Sequence, residues 1–502
     1  MKNEGSIKEK VKTWLKDPYN LAIIGVVIAS FIIRLYYLVY TKGQTLWWDE
    51  AEYMSSAKNI AFGVPYDFNP QRPPLFQLFG AILLKLGLQE FSLKLILVVI
   101  PSTFMVFSIY YLGKELFNKK VGLIASIVST FMWSFLFWTT RFQPDFFSMS
   151  FQIMAIAFFW KLIKTNTHKY AIYSGLFSAL GFYFKISALL VPLSFFIFLI
   201  FREGHKILFE KKYWIYLVSF VLTMLPFLIW QFYSFGNPTA FAPSYIGGTG
   251  IGLGWEFGWM TLSFYEIFSK TIFFYLFLFG LFLVLFKLLL SFDLILKDKE
   301  KRTDSEIFSL IFLVVVTLFY IFYIRGTIED RWVFILVPFI FFFCANALLW
   351  ITEKVTKSDF LKLGTVVLIL GVFFIYPHLT HTKYLIDEKK DSYLPVKEAS
   401  LWIKENSNIN DKVLSISYTQ ATAYTERKIF SYSFQNASQL DSLIEEEKPR
   451  YIMVSIFENH PSWTNQWVND NVNRLNPVRA YFADVENTQA ILIVYEINYK
   501  TL

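Results

Sequence analysis

The sequence has few of the residues that soluble enzymes use for catalysis and for covalent stabilisation. It contains one cysteine, Cys344, and five histidines. A lone cysteine inside an apolar run excludes a disulfide framework and a cysteine-based metal site. Charged residues make up only 17% of the chain, whereas soluble domains carry about 25%. The low charge content therefore excludes an ordinary water-soluble fold.

The sequence is instead rich in hydrophobic and aromatic residues. They account for 55% and 20% of the 502 residues, and phenylalanine alone occurs 57 times. A helix that crosses a bilayer needs about 20 apolar residues. Runs of this length predict a polytopic α-helical membrane protein with about eleven spans and at most thirteen. The predicted spans are 20–40, 93–113, 121–138, 146–163, two helices within 169–202, 213–233, 270–290, 306–324, 331–350 and 361–378.

The basic residues indicate how these spans are oriented. The net charge is +8, and lysine and arginine cluster in short loops between apolar runs, at 113–120, 161–169, 202–212, 297–302 and 351–362. Such loops face the cytoplasm. The pattern alternates along the whole chain only if the short apolar segment 73–88 does not cross the membrane, so we predict an interfacial or re-entrant helix there. The N-terminus is then a cytoplasmic signal anchor, the C-terminus is extracytoplasmic, and the basic charge is explained without nucleic acid.

The composition changes after His378. Residues 380–502 contain polar and charged residues in the proportions of soluble proteins, and strand-like runs at 413–417, 451–457 and 491–497 alternate with helical patterns. This alternation is typical of a small α/β domain. We therefore predict two domains: a transmembrane domain, 1–379, with its active site in the outer loops, of which 41–92 is the first, and an extracytoplasmic α/β domain, 380–502.

Carboxylates and cations gather at the outer ends of the predicted spans. Charges near a bilayer are costly and are functional candidates by default. A carboxylate can serve as the general base for a hydroxyl nucleophile, and arginine and lysine stabilise a phosphate leaving group. The arrangement suits a lipid-linked phosphate substrate. The candidates are Asp49, Glu50, Arg72, Asp145, Lys185 and Arg331.

Other residues in these regions have simpler interpretations. Glu52 is interpreted as a solvated charge, and the tryptophans before Asp49 as interfacial anchors. The glycine-rich run 247–254 lacks the flanking strand and helix of a nucleotide loop and is interpreted as an outer loop over the cavity. His378 and His381 show no metal-ligand spacing and are interpreted as surface residues.

Several short motifs resemble those of the GT-C membrane glycosyltransferases, in the branch of the protein O-mannosyltransferases and the aminoarabinose transferase for lipid A. The resemblance covers roughly residues 20–350 and is clearest over 46–200. The motifs that carry it are Trp48–Ala51 followed by Tyr53, Gln71–Leu75, Arg141–Asp145, Lys185 after an aromatic-rich helix, and Asp330–Trp332 followed by Pro338.

The resemblance implies an inverting transfer of a sugar from a polyprenyl-phosphate donor to an extracytoplasmic acceptor, which is a lipid, a glycan or a protein. It implies that Asp49 is the base and that Asp145 assists in positioning the acceptor or the donor. Glu50 is a further catalytic candidate. Arg72, Lys185 and Arg331 would contact the donor phosphate. No cofactor is implied with certainty, and the acidic loop leaves a divalent metal ion open without an assigned ligand.

The sequence departs from the family pattern in two ways. Arg72 stands where the family has lysine or histidine, which keeps the charge. The histidine after the Asp-Glu pair and the β-trefoil domain of the protein mannosyltransferases are both missing, which weighs against protein mannosylation. Three other functions stay open: a transporter or flippase for lipid-linked sugars, a ligase that uses a diphosphate-linked donor, and an inactive scaffold.

Overall fold

The computed structural model describes residues 7–243, 273–292, 303–323, 329–483, 486 and 488–499. Two predicted loops, 247–254 and 297–302, lie outside these residues. The helices are α1 Ile7–Leu15, α2 Pro18–Tyr40, α3 Trp48–Phe62, α4 Leu75–Lys85, α5 Glu90–Leu116, α6 Lys119–Phe131, α7 Trp133–Thr139, α8 Asp145–Thr165, α9 His168–Phe182, α10 Ile186–Leu208, α11 Lys211–Phe235, α12 Phe273–Leu290, α13 Asp304–Phe322, α14 Asp330–Val355, α15 Asp359–Lys389, α16 Leu394–Asn406, α17 Tyr418–Thr425, α18 Ala437–Glu447 and α19 Thr464–Asp470. The strands are β1 Lys412–Leu414, β2 Lys428–Phe430, β3 Tyr451–Ser455, β4 Leu475–Phe482 and β5 Ala490–Ile497.

Among the described residues, nine helices are long and apolar enough to cross a membrane, and the bent pair α6–α7 makes a tenth. Helix α9 is shorter, with 15 residues. Lys185, just after α9, nevertheless contacts Asp145 at the start of α8, so α9 carries the chain back to the end at which α8 began. With α9 included, the number of described passes is close to the predicted eleven. Helix α4, at 11 residues, spans about 16 Å and is too short to cross.

The predicted span 121–138 is not one straight helix. It breaks at Met132, whose extended backbone separates α6 from α7, and the two parts differ in direction by 55°. Arg34 of α2 donates to the buried carbonyl oxygens of Ser129 and Thr130, which lie just before the break. On the other side of the break, the Trp133 N–H donates to Nδ1 of His378 at 3.2 Å. Side chains from neighbouring helices thus satisfy the backbone groups that the break leaves open.

This contact corrects the interpretation of His378. Its side chain is 2% exposed and stacks on Phe374, with ring centroids 3.9 Å apart. It is therefore a core residue of the helical bundle and not a surface residue. Sequence reasoning missed it because the hydrogen bond from Trp133 depends on a break that lies far away along the chain.

Aromatic side chains fill the interior of the bundle, and small residues set the closest helix contacts. The five residues from Phe339 to Phe343 in α14 are all fully buried. Gly280 of α12 lies directly against α14, since a Cβ added there would come within 2.2 Å of the Phe343 carbonyl oxygen. Glycine is needed at this point because any side chain would push the two helices apart.

The C-terminal part folds as the predicted small α/β unit. Its sheet has the order β2-β1-β3-β5-β4, in which β1 pairs in parallel with β2 and β3, while β5 pairs antiparallel with β3 and β4. Apolar clusters cover both faces of the sheet. The predicted domain boundary at residue 379 falls within α15, and the boundary stays a prediction.

Helix α17 of this unit packs on α3 of the transmembrane part. The Tyr424 hydroxyl accepts a hydrogen bond from the Leu46 N–H at 2.9 Å. Lys58 donates to Glu426 at 2.7 Å, and the rings of Trp48 and Tyr418 meet edge to face. The start of α3 and the C-terminal unit therefore lie at the same end of the bundle.

Candidate active site

The first turn of α3 carries two acidic residues with different surroundings. Carboxylates are favoured there because the N-terminus of a helix is the positive end of its dipole. Glu50 caps the helix by accepting a hydrogen bond from the Trp47 N–H at 2.8 Å. The carboxylate of Asp49 is left free to point outward, toward two arginines that come from other parts of the chain.

Asp49 lies between Arg72 and Arg331. Arg72 Nη2 donates to Asp49 Oδ1 at 2.5 Å, and Arg331 Nη2 donates to Asp49 Oδ2. Arg72 comes from the loop between α3 and α4, and Arg331 from the first turn of α14. Three segments far apart in sequence therefore meet at one carboxylate.

The network continues through Arg331 to Asp145 and Lys185. Arg331 Nη1 lies 3.7 Å from Asp145 Oδ2 and donates to Gln143 Oε1 at 2.8 Å. Lys185 Nζ donates to Asp145 Oδ1 and to the Arg331 carbonyl oxygen at 3.3 Å. Five of the six predicted site residues thus belong to one connected set of ion pairs, which we call the Asp49 cluster: Asp49, Arg72, Asp145, Lys185 and Arg331.

The electrostatics of the Asp49 cluster follow from burial and from pairing. Burial alone would raise the pKa of Asp49, but Arg72 and Arg331 outweigh it and hold the pKa well below its usual range. Burial lowers the pKa of Lys185, against the opposing effect of Asp145. Asp49 is consequently a carboxylate, and a weak base, as long as both arginines stay on it.

Glu50, the sixth predicted site residue, lies outside the Asp49 cluster. Its side chain is fully buried, and its oxygens accept from the N–H groups of Trp47 and Phe142, the latter at 2.5 Å. Arg141 Nη1 lies 3.4 Å from Glu50 Oε2, and its guanidinium stacks on the Trp47 ring at 3.5 Å. Glu50 therefore ties the start of α3 to the segment before α8, a geometry that suits positioning of Asp49.

Several residues at the site were not selected from the sequence. Glu52 is 7% exposed and accepts from Arg72 Nε at 2.7 Å, so its interpretation as a solvated charge is wrong. Gln143 holds Arg331, and Trp138 lies under the same guanidinium, 4.9 Å from ring centroid to Cζ. The spacing of Glu52 from Asp49, nearly one helical turn, was the available signal, because it places both on one face of α3.

The carboxylates of the site do not form a metal site. Among the residues that the structure describes, no group of three or more histidine, cysteine, aspartate or glutamate side chains has the geometry to hold a metal ion. Asp49, Glu52 and Asp145 each accept from an arginine or lysine side chain. A divalent cation would meet these positive groups at contact distance. The residues present therefore do not fit a metal ion.

Several solved structures have a fold similar to that of this chain. The Archaeoglobus fulgidus oligosaccharyltransferase aligns with a TM-score of 0.61 at 12% identity, over 86% of this chain and 69% of its own. ArnT from Cupriavidus metallidurans aligns with a TM-score of 0.60 at 9% identity, over 97% and 98%. The mycobacterial arabinofuranosyltransferase AftD aligns with a TM-score of 0.56 at 12% identity, over 94% and 40%. The fold is that of the GT-C membrane glycosyltransferases, as predicted.

Part of the sequence also matches the model of one protein family. The model of the dolichyl-phosphate-mannose-protein mannosyltransferases matches residues 71–230, a segment that contains Arg72, Asp145 and Lys185. A search of curated protein sequences finds no match. The chain thus has the fold of the multi-pass GT-C membrane glycosyltransferases and is similar to the dolichyl-phosphate-mannose-protein mannosyltransferases over residues 71–230.

Proposed function

We propose that the protein transfers a sugar from a polyprenyl-phosphate donor to a hydroxyl of an extracytoplasmic lipid, glycan or protein, with inversion at the anomeric carbon and Asp49 as general base. The observation that carries this proposal is the position of Asp49, held between Arg72 and Arg331. A carboxylate and two guanidinium groups at one point supply both a proton acceptor and phosphate ligands.

The cations of the Asp49 cluster have the chemistry to hold the donor phosphate. In the reaction, the acceptor oxygen bonds to the anomeric carbon, and the bond from this carbon to the phosphate oxygen breaks with its electron pair on the phosphate. Arg72, Arg331 and Lys185 would stabilise that developing charge. Asp49 would take the proton from the acceptor hydroxyl. The solved relatives support such a donor: one oligosaccharyltransferase structure contains a dolichol-phosphate, and one ArnT structure is bound to undecaprenyl phosphate.

The ion pairs of the free protein imply that the donor activates the base. The arginines now neutralise Asp49, so an incoming phosphate must compete with this carboxylate for them. Once Arg72 and Arg331 turn to the phosphate, their effect on Asp49 weakens, and the effect of burial, which raises the pKa of Asp49, prevails. Asp49 thereby becomes a stronger base only when a donor is bound. Without a donor, the Asp49 carboxylate does not take up a proton.

We propose further that the Asp49 cluster and the domain 380–502 face the extracytoplasmic side, with the N-terminus in the cytoplasm. The cluster lies at the end of the bundle that carries the C-terminal unit, and the basic loops that the structure describes, 113–120, 161–169, 202–212 and 351–362, lie at the opposite end. A reporter fused after residue 502 should be accessible from outside intact cells, and a cytoplasmic reading would reverse this orientation.

The enzymatic proposal can be tested with cells that express the wild-type chain or Asp49→Asn at equal levels. Mass spectrometry of their glycolipids and glycoproteins should reveal a sugar adduct that depends on the wild-type protein and is lost with Asp49→Asn. Asp359→Asn is a matched control, because Asp359 is 97% exposed, lies at the opposite end of the bundle and, among the described residues, forms an ion pair with Lys362 alone. An adduct that persists in Asp49→Asn would exclude Asp49 as the base. Donor lipid that changes sides without any adduct would favour the flippase.

A further inference from the structure

A cavity lies at the end of the bundle opposite the Asp49 cluster. Helix α14 begins beside the cluster with Asp330 and Arg331 and ends at Val355, and Glu353 near that end lines the cavity. With a rise of 1.5 Å per residue, Arg331 and Glu353 are separated by about 33 Å along the helix axis. The cavity therefore opens at the other face of the membrane, and the transfer reaction does not use it.

The cavity arises where helices that touch in the middle of the bundle diverge toward their ends. It has a volume of about 910 Å³ and lies between the first turns of α2, α6 and α13 and the last turns of α12 and α14. Gly280, where α12 and α14 are in backbone contact, forms its inner end. The volume falls in the range of about 300–1,000 Å³ that is common for small-molecule sites.

The apolar walls of the cavity face the lipid. Phe286, Leu290 and Trp350 line it and are 48%, 70% and 42% exposed. In a membrane helix, such exposed apolar side chains contact acyl chains. A site with this wall admits an amphiphile from the bilayer, whereas a free phosphate or a nucleotide would leave the apolar surface uncovered.

Among the described residues, the polar end of the cavity has one charge of each sign without an ion-pair partner. Two of its lysines are already neutralised, Lys119 by Asp17 and Lys287 by Glu306. Lys120 and Glu353 also line the cavity, and neither makes an ion pair within the part of the chain that the structure describes. The unmatched charges are therefore one cation and one anion.

We propose that this cavity binds a glycerophospholipid whose headgroup carries both a phosphate and a primary ammonium group, the chemistry of phosphatidylethanolamine. The phosphate lies on Lys120, the ammonium group donates hydrogen bonds to Glu353, and the acyl chains lie along Phe286, Leu290 and Trp350. An anionic headgroup without an amine would leave Glu353 unmatched beside a negative charge. A choline headgroup has no N–H to donate. Among the ethanolamine, glycerol and choline headgroups, the charge pair thus selects ethanolamine.

Lipid retention measures this selectivity directly. The full-length protein, purified from mixed vesicles of phosphatidylethanolamine, phosphatidylglycerol and phosphatidylcholine in equal amounts, is analysed for bound lipid by native mass spectrometry. The wild type should retain phosphatidylethanolamine in preference to both others. Lys120→Gln should lower its retention about tenfold, the effect of losing one charge-assisted hydrogen bond.

Charge reversal at the other end of the headgroup gives the sharper test. Glu353→Lys should change the preference to phosphatidylglycerol, and Glu353→Gln should lower retention of phosphatidylethanolamine and raise that of phosphatidylglycerol, because the repulsion from the carboxylate is lost. Asp359→Lys makes the same charge change on an exposed side chain outside the cavity and should change nothing. Equal retention of the three lipids by the wild type, or an unchanged preference in both Glu353 variants, would overturn the proposal. No donor is present in this measurement, so its result is independent of the transfer reaction.

Discussion

Replacing Glu50 by glutamine separates a positioning role from a catalytic one. Glutamine keeps the size of the side chain but removes its charge. Arg141, fully buried, then loses the carboxylate 3.4 Å away. The amide also has a single acceptor oxygen, so it cannot accept from both the Trp47 and Phe142 N–H groups as the two carboxylate oxygens do.

The magnitude follows from these contacts. A buried charge that loses its partner costs about 3–5 kcal/mol of folding free energy. The whole stability of a protein is about 5–15 kcal/mol, so Glu50→Gln should remove about a fifth of it or more. We expect the midpoint of thermal unfolding to fall by at least about 3 °C. Transfer activity should fall as well, because the first turn of α3 carries Asp49.

Thermal unfolding in nanodiscs, followed alongside donor turnover, is the assay. The double variant Glu50→Gln with Arg141→Gln removes the orphaned charge and should recover part of the lost stability, with a coupling energy of about 0.5–3 kcal/mol. A Glu50→Gln variant that unfolds at the wild-type temperature and yet is inactive would refute the positioning role and favour the catalytic assignment.

Three further predictions concern the Asp49 cluster. Arg72→Ala should raise the KM for the donor more than the KM for the acceptor, because a phosphate ligand is lost, and equal effects in steady-state kinetics would contradict that role. Arg331→Lys should also weaken donor binding, since one ammonium group cannot reach Gln143 and Asp49 together as the guanidinium does, and wild-type donor kinetics would show that the fork geometry is unimportant. Protonated Asp49 cannot accept a proton, so activity falls as the pH drops through its pKa. The acid limb of kcat/KM for the donor, which reports the free enzyme, should lie below the usual aspartate range because Arg72 and Arg331 lower the pKa of Asp49. The acid limb of kcat, which reports the enzyme with donor bound, should lie at higher pH than the acid limb of kcat/KM. If the two acid limbs coincide, the donor does not activate the base.

The sequence predicted the fold and the meeting of the five clustered residues because a membrane restricts the alternatives. Loop charge decides which helix ends share a face, so Asp49, Arg72 and Arg331 fall on one side although they are far apart in the chain. Within that face, Lys185 and Asp145 lie at the ends of neighbouring helices, which leaves them few other partners. Local sequence and the bilayer together were sufficient for this part.

What the sequence could not supply are contacts that depend on tertiary packing. Glu50 and Asp49 are adjacent acidic residues. Only the positions of Phe142 and Arg141 show that Glu50 is buried and connects the start of α3 to the segment before α8. The sequence likewise predicts that Glu52 is solvated, because its ion pair with Arg72 depends on the tertiary fold. The break at Met132 lies in a run that is apolar throughout, and its partners come from α2 and α15.

The most direct test of the central claim is a structure of the protein with a bound polyprenyl phosphate. We predict that phosphate oxygens lie within hydrogen-bonding distance, about 3 Å, of Arg72 and Arg331, and that the carboxylate of Asp49 is released from at least one of them. A phosphate bound elsewhere, with both Asp49 ion pairs intact, would contradict the account.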